Sequence, residues 1–278
     1  MYVISGATGN VGRPLVRALA ASGASVRAVS RTAPPTLPDG VTHHRADLTD
    51  PESLRPVVAG AEAVFLLVSG AGAHLDAPAI LDVIKAGGAR RVVLLSSQAA
   101  GTRPGSPSHA PLRAWEDTVR GSGLDAVMLR PGGFASNAFA WADAVRRTRT
   151  VTAPFGDVGL PVVDPDDIAA VAAEVLRDGW HAGRVYELTG PQPCTPRQRA
   201  AAIGAALGEP VRFVEQTPAE ARAQLLTFMP EPVADGTLAI LGSPTPEEVR
   251  VSPHVAEILG RPALPFTGWA ERNVEAFR

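Results

Sequence analysis

With 278 residues, the chain is long enough for one large α/β domain, or for a nucleotide-binding domain carrying a smaller substrate lobe. Its 26 Lys+Arg against 28 Asp+Glu leave no basic footprint for nucleic acid, and a single cysteine, Cys194, excludes an internal disulfide framework and a thiolate metal cluster. No apolar run reaches the roughly 20 residues that span a bilayer, and the first residues enter a strand without a basic leader. The expected setting is therefore cytoplasmic, with a small-molecule substrate and no membrane or nucleic-acid partner.

The first half alternates apolar runs with amphipathic stretches. Strands are predicted at Tyr2 to Ser5, Ser25 to Ser30, Val41 to Ala46, Ala63 to Val68, Arg91 to Leu95 and Asp125 to Leu129. Between them, helical spacing recurs at Val11, Leu15 and Leu19 and over about 52–60, 75–87 and 111–121. Strands apolar on both faces, alternating with helices, predict a doubly wound parallel sheet, the Rossmann fold. Beyond residue 133 the pattern changes. Phe134 to Arg147 reads as helix, Thr150 to Gly159 as loop or short strand, and Val185 to Leu188 as strand. Pro165 to Arg177 reads as a helix capped by Asp164, which accounts for Asp164, Asp166 and Asp167 better than a metal site does. Thr195 and Gln198 form a capping box for a helix that Gly208 closes. Seven prolines over 217–262 predict short helices broken by turns. The expected organisation is a Rossmann core over 1–133, with 134–278 partly completing the sheet and forming a smaller, mostly helical substrate lobe.

Gly6, Gly9 and Gly12 follow the first strand as G-x-x-G-x-x-G and open the first helix. The first permits a tight turn, the second a close backbone approach to a pyrophosphate, and the third close packing of helix on sheet. Such a strand, turn and helix presents amides to a phosphate. At the end of the second strand there is no carboxylate to accept from a ribose 2′-hydroxyl; Arg31 stands there instead. Arg31 is either a bidentate partner of a 2′-phosphate, with Arg13 near, or a solvated surface residue. The missing carboxylate favours NADP(H) over NAD(H). Asp47 and Leu48, after the third strand, are expected beside the adenine, with a turn-capping role for Asp47 equally compatible.

These motifs, with Ser96-Ser97, the run from Leu129 to Phe134 (LRPGGF), Asn137, DPDDIAA from Asp164 and YELTG from Tyr186, resemble the NmrA-like branch of the atypical short-chain dehydrogenases/reductases over about residues 1–215. That branch includes NADPH-dependent quinone reductases, azoreductase-like enzymes and non-catalytic redox-sensing regulators. The resemblance implies that Thr8, Asn10 and Val11 line the pyrophosphate. It places Val68 and Ser69 by the adenosine or ribose, Ser96 and Ser97 near the nicotinamide, and Pro131, Gly132 and Phe134 against its ring.

Ordinary short-chain dehydrogenases protonate a carbonyl with a tyrosine set four residues before a lysine. Counting from Glu116, those positions hold Ser108 and Leu112. The only tyrosines are Tyr2 and Tyr186, and the only lysine is Lys85. His109 is a candidate proton donor, or a surface residue in a Gly/Pro/Ser loop. Trp115, Phe134, Phe139 and Trp141 are either an aromatic wall over the nicotinamide or ordinary packing. The expected function is NADPH-dependent hydride transfer to a quinone-like or conjugated aromatic acceptor. The alternatives are a non-catalytic NADP(H)-sensing partner and an atypical biosynthetic ketoreductase or isomerase. A homodimer is compatible with the sequence.

Overall fold

The computed structural model describes residues 1–68 and 72–278. Its core is a seven-stranded sheet built from β1 (Tyr2–Ser5), β2 (Val26–Ser30), β3 (Val41–Arg45), β4 (Ala63–Leu67), β5 (Arg91–Leu95), β6 (Asp125–Pro131) and β8 (Val185–Leu188), all paired in parallel in the order β3-β2-β1-β4-β5-β6-β8. The order reverses between β1 and β4, which opens a crevice at their carboxyl ends, where doubly wound sheets bind nucleotides.

Strand residues alternate between two cores with a period of two. Ile4, Phe65, Val93 and Val127 pack under α1 (Gly12–Ala21) and α7 (Pro165–Arg177), against Leu15, Leu19, Ile168 and Val171. Val3, Val64, Leu66, Val92, Leu94 and Met128 face the other way. They meet α2 (Arg55–Val58), α3 (Ala77–Ala86) and α5 (Ala110–Gly121) through Val57, Ile80, Ile84, Trp115 and Val119. The apolar runs of the central strands β1, β4 and β5 are thus explained: each is covered on both faces, whereas the edge strand β3 is only partly buried.

Between β5 and α5 lies α4 (Gln98–Thr102), a single turn whose N-cap is Ser97. Past β6, the segment expected as one helix begins as a 3-10 turn over Ala135–Trp141 and becomes α6 only at Ala142–Thr148. Hydrogen bonds tie its start to a neighbouring extended segment, since the Ala135 amide donates to the Val163 carbonyl and the Val163 amide to the Gly133 carbonyl. β7 (Thr150–Ala153) pairs in parallel with β9 (Arg212–Glu215) in a separate two-stranded sheet. Asp164 caps α7 through the Asp166 amide and also pairs with Arg272, while Asp167 pairs with Arg261. The acidic run therefore both starts a helix and anchors the C-terminal segment.

α8 (Pro196–Leu207) carries the capping box, with Gly208 left-handed at φ +74°. The Pro-rich region folds as α9 (Pro218–Leu225), α10 (Glu231–Gly242), α11 (Pro246–Val249) and α12 (His254–Leu259), followed by α13 (Phe266–Arg272). Not all of this belongs to a lobe. Val255 of α12 is part of the sheet core, and Phe266 and Trp269 of α13 form a third cluster with Ala138, Val145, Val151, Ile203 and Phe277. No helix of the described residues is long and apolar enough to cross a membrane.

Candidate cofactor site and acceptor cavity

Gly6 leaves β1 with φ +64°. The Gly9 amide donates back to its carbonyl at 2.9 Å, and the Arg13 amide donates to the Gly9 carbonyl at 3.1 Å, so the turn feeds directly into α1. A Cβ on Gly12 would stand 2.1 Å from the Gly6 carbonyl oxygen and 2.7 Å from the Ala7 Cα. The amides of Thr8, Asn10, Val11 and Gly12 donate to nothing among the described residues. Unsatisfied amides at a helix N-terminus with no acidic residue in its first turn make a site for an anion. The residues present fit a dinucleotide pyrophosphate. Val11, 1% exposed, offers only its amide. Asn10 is fixed by an Nδ2 bond to Ser136 Oγ at 3.2 Å, a partner 126 residues away that no local pattern signals.

Arg31 is exposed at the end of β2, with no hydrogen bond or ion pair to a described residue. Asp47 caps its own turn: its Oδ1 accepts from the Thr49 amide at 3.0 Å, and its amide donates to Ser53 Oγ. The Thr49 contacts, with Arg31 adding its field, hold the Asp47 carboxyl below the usual carboxylate range. Leu48 packs beside the sheet core, and Val68 is buried past the end of β4. Ser69 lies outside the described residues.

At the carboxyl ends of β5 and β6 a cavity of about 520 Å³ opens. Its floor brings together Ser97, Gln98, Pro131, Gly132 and Phe134; its side is His109, Leu112 and Asn137. Its roof is Phe228, Met229 and Pro230, with Val233, Ile240 and Leu241 of α10. The roof is tied to the floor by Glu248 of α11, which is 2% exposed and accepts from Arg103 at 2.7 Å and from Thr102 Oγ at 2.9 Å.

Ser96 does not share the cavity with Ser97. Its hydroxyl donates to Glu116 Oε1 at 2.6 Å, and the buried Glu116 also receives Arg130 at 2.6 Å and Arg120 at 2.7 Å. Burial raises the Glu116 carboxyl, but the Arg130, Ser96 and Arg120 bonds outweigh it and hold the group below the usual carboxylate range.

The geometry favours one alternative for His109 and one for the four aromatics. His109 is not a loose surface residue: it is half-buried, lines the cavity, and shares a 2.8 Å bond between Nδ1 and Ser108 Oγ. Burial, reinforced by Arg113, pushes its pKa down, so the ring is neutral at pH 7. The four aromatics do not form a wall. Trp115 is in the sheet core and donates to the Gly72 carbonyl, Phe139 packs on Trp269, and Trp141 faces Arg199. Only Phe134 of the four lines the cavity. Tyr186 donates to or accepts from His181 within the fold at 2.7 Å, and Lys85 pairs with Asp82 on the surface. Neither borders the cavity.

A parallel sheet with a glycine-rich turn feeding a helix at its switch point defines the dinucleotide-binding Rossmann class. The NAD(P)H-binding family model matches residues 6–179. The chain belongs to this NAD(P)H-binding family. Over its whole length it is 35% identical to (4-alkanoyl-5-oxo-2,5-dihydrofuran-3-yl)methyl phosphate reductase of Streptomyces griseus, covering 99% of that protein. It is 29% identical to NAD(P)H azoreductase of Xenophilus azovorans, again over the whole chain and 99% of the relative. Two solved structures share the fold: NADPH-dependent quinone oxidoreductase QOR2 of Escherichia coli in complex with NADPH (TM-score 0.78, 23% identity, 98% of this chain and 99% of that one) and the transcriptional regulator NmrA in complex with NADP (TM-score 0.76, 19% identity, 99% and 95%).

Proposed function

We propose that the protein is an NADPH-dependent reductase of an easily reduced, conjugated acceptor: a quinone, an azo or related aromatic dye, or an enone-like ring. The observation that carries this reading is the apolar cavity at the ends of β5 and β6, which no tyrosine or lysine borders. The names of the Streptomyces griseus and Xenophilus azovorans relatives, a conjugated oxo-dihydrofuran reductase and an azoreductase, support the same acceptor class. When bound, the reduced nicotinamide supplies a hydride, two electrons and one proton; one solvent proton completes a hydroquinone or saturated product. The amides of Thr8, Asn10, Val11 and Gly12 hold the pyrophosphate, and Ser97, Pro131, Gly132 and Phe134 set the nicotinamide ring against the cavity. Leu112, Val233, Ile240 and Leu241 exclude water and orient the acceptor, so positioning rather than acid catalysis supplies the rate.

His109 then offers the acceptor oxygen one hydrogen bond. His109→Ala is expected to lower kcat/KM for a quinone about 3- to 10-fold, the value of one neutral bond. A loss on the order of 10²- to 10⁴-fold would instead make His109 the general acid of a ketoreductase.

Arg31 selects the cofactor by meeting the 2′-phosphate. Arg31→Asp is expected to reduce the preference for NADPH over NADH, read as the ratio of kcat/KM values, by about 10- to 100-fold, the scale of a charge-assisted hydrogen bond and the repulsion replacing it. An unchanged ratio would return Arg31 to the solvated surface.

A further inference from the structure

The capping box at Thr195 fixes the start of α8, and packing against the third cluster buries one stripe of it. The buried positions are Pro196, Arg199, Ala200, Ile203 and Gly204, the stripe of an amphipathic helix. Four of these five are small or apolar. The fifth is an arginine, 8% exposed, at a position where the pattern calls for an aliphatic side chain.

A buried cation costs several kcal/mol of desolvation unless a carboxylate or a set of acceptors offsets it. Arg199 has neither among the described residues. Its Nε is buried without a hydrogen-bond partner, and no described carboxylate pairs with it. Cys194 is an ionisable neighbour, but burial pushes its thiol up and so keeps it neutral. What holds the guanidinium is the ring of Trp141, whose centroid is 5.2 Å from Cζ. Stacking on a ring orients the planar group and leaves its edge free to donate. The same side chain borders the acceptor cavity, together with Asn137, Phe134 and Leu160. Glu248, the cavity's only bordering carboxylate among the described residues, is committed to Arg103, Thr102 and its own helix cap. The cavity is thus apolar with one uncompensated positive charge in its wall.

We infer that Arg199 is an anion-binding, specificity-determining residue, and that the substrate carries an anionic oxygen group (phosphate ester, carboxylate or sulfonate) which the guanidinium holds from its place on Trp141. That the ligand is the hydride acceptor rests on the reductase reading; the anion site itself does not.

Two arms test this. In the first, 1,4-naphthoquinone and 1,4-naphthoquinone-2-sulfonate are reduced with NADPH by the wild type, Arg199→Met and Arg199→Lys. The sulfonate-to-neutral ratio of kcat/KM is expected to fall about 30-fold in Arg199→Met, the scale of a charge-assisted pair, and to recover in part in Arg199→Lys. A ratio that does not move overturns the proposal. In the second arm, phenyl phosphate, benzoate and benzenesulfonate are titrated calorimetrically into the NADP⁺-loaded protein. Binding of at least one that Arg199→Met abolishes supports the site, and their relative affinities identify the anion. Binding that the substitution leaves unchanged, or no binding, overturns it. If the wild type reduces neither quinone, the quinone form of the reductase reading fails while the calorimetric arm still decides the anion site. NADPH affinity that falls in Arg199→Met in step with acceptor binding would assign the arginine to the cofactor and overturn the proposal. Thermal unfolding separates a structural role: removal of an unpaired buried cation is expected to leave the Tm unchanged or higher, whereas a clear drop would make Arg199 part of the packing.

Discussion

Gly12→Ala is expected to abolish cofactor binding at ordinary concentrations. The added Cβ would stand 2.1 Å from the Gly6 carbonyl oxygen and 2.7 Å from the Ala7 Cα, both backbone atoms that no side-chain rotation can move aside. The turn must open, and the amides of Asn10, Val11 and Gly12 lose their common direction. Two amide bonds to a charged phosphate are worth about 1.5–3 kcal/mol each, so NADPH affinity should fall about 10²- to 10⁴-fold. Fluorescence titration with NADPH measures this, and circular dichroism on the same sample shows whether the sheet persists. Tight NADPH binding by Gly12→Ala would place the dinucleotide elsewhere.

The second large effect lies beneath the cavity floor. Glu116 is 1% exposed and gathers Ser96 from the end of β5, Arg130 from β6 and Arg120 from its own helix. Glu116→Gln leaves Arg130 half-buried without its counter-ion. Removal of one member of a buried pair costs about 3–5 kcal/mol, and at about 2–4 °C per kcal/mol for a chain of this size the Tm should fall by roughly 6–20 °C at pH 7. The pH dependence has a definite sign. Because the folded-state pKa of Glu116 is depressed, its contribution is present above the unfolded carboxylate pKa and is lost as pH falls through the folded value. The Tm gap between wild type and Glu116→Gln should therefore be widest near neutrality and close on acidification. A gap independent of pH would show that packing rather than charge holds this corner.

The nucleotide half was legible because its signals are local. Apolar strands, the Gly6-to-Gly12 turn and the caps at Asp164 and Thr195 each declare themselves within a few residues, and each appears where the pattern places it. The acceptor cavity was not, because its roof and floor meet through long-range contacts: Glu248 reaches Arg103 across 145 residues and Thr102 across 146. Half of the roof lies in the turn between α9 and α10, where Phe228 remains 67% exposed, and the rest in α10, whose amphipathic patterning is weak. Neighbouring serines were also ambiguous. At a strand end successive side chains point to opposite faces, so Ser96 turns into Glu116 while Ser97 faces the cavity. Trp115 declares its place by helical spacing: Leu112, Trp115, Glu116 and Val119 form one stripe, which faces inward. Arg199 stands out only once α8 is packed against the third cluster, because nothing in the sequence alone says that its position is interior.

The most direct test of the account is NADPH oxidation, followed at the near-ultraviolet absorbance of the reduced nicotinamide, with a panel of simple and polycyclic quinones and azo dyes and with NADH in parallel. The expected result is acceptor-dependent oxidation that is faster with NADPH than with NADH. Binding of NADPH without turnover of any acceptor in the panel would contradict it, and would make the protein a holder of the dinucleotide rather than a reductase of this class.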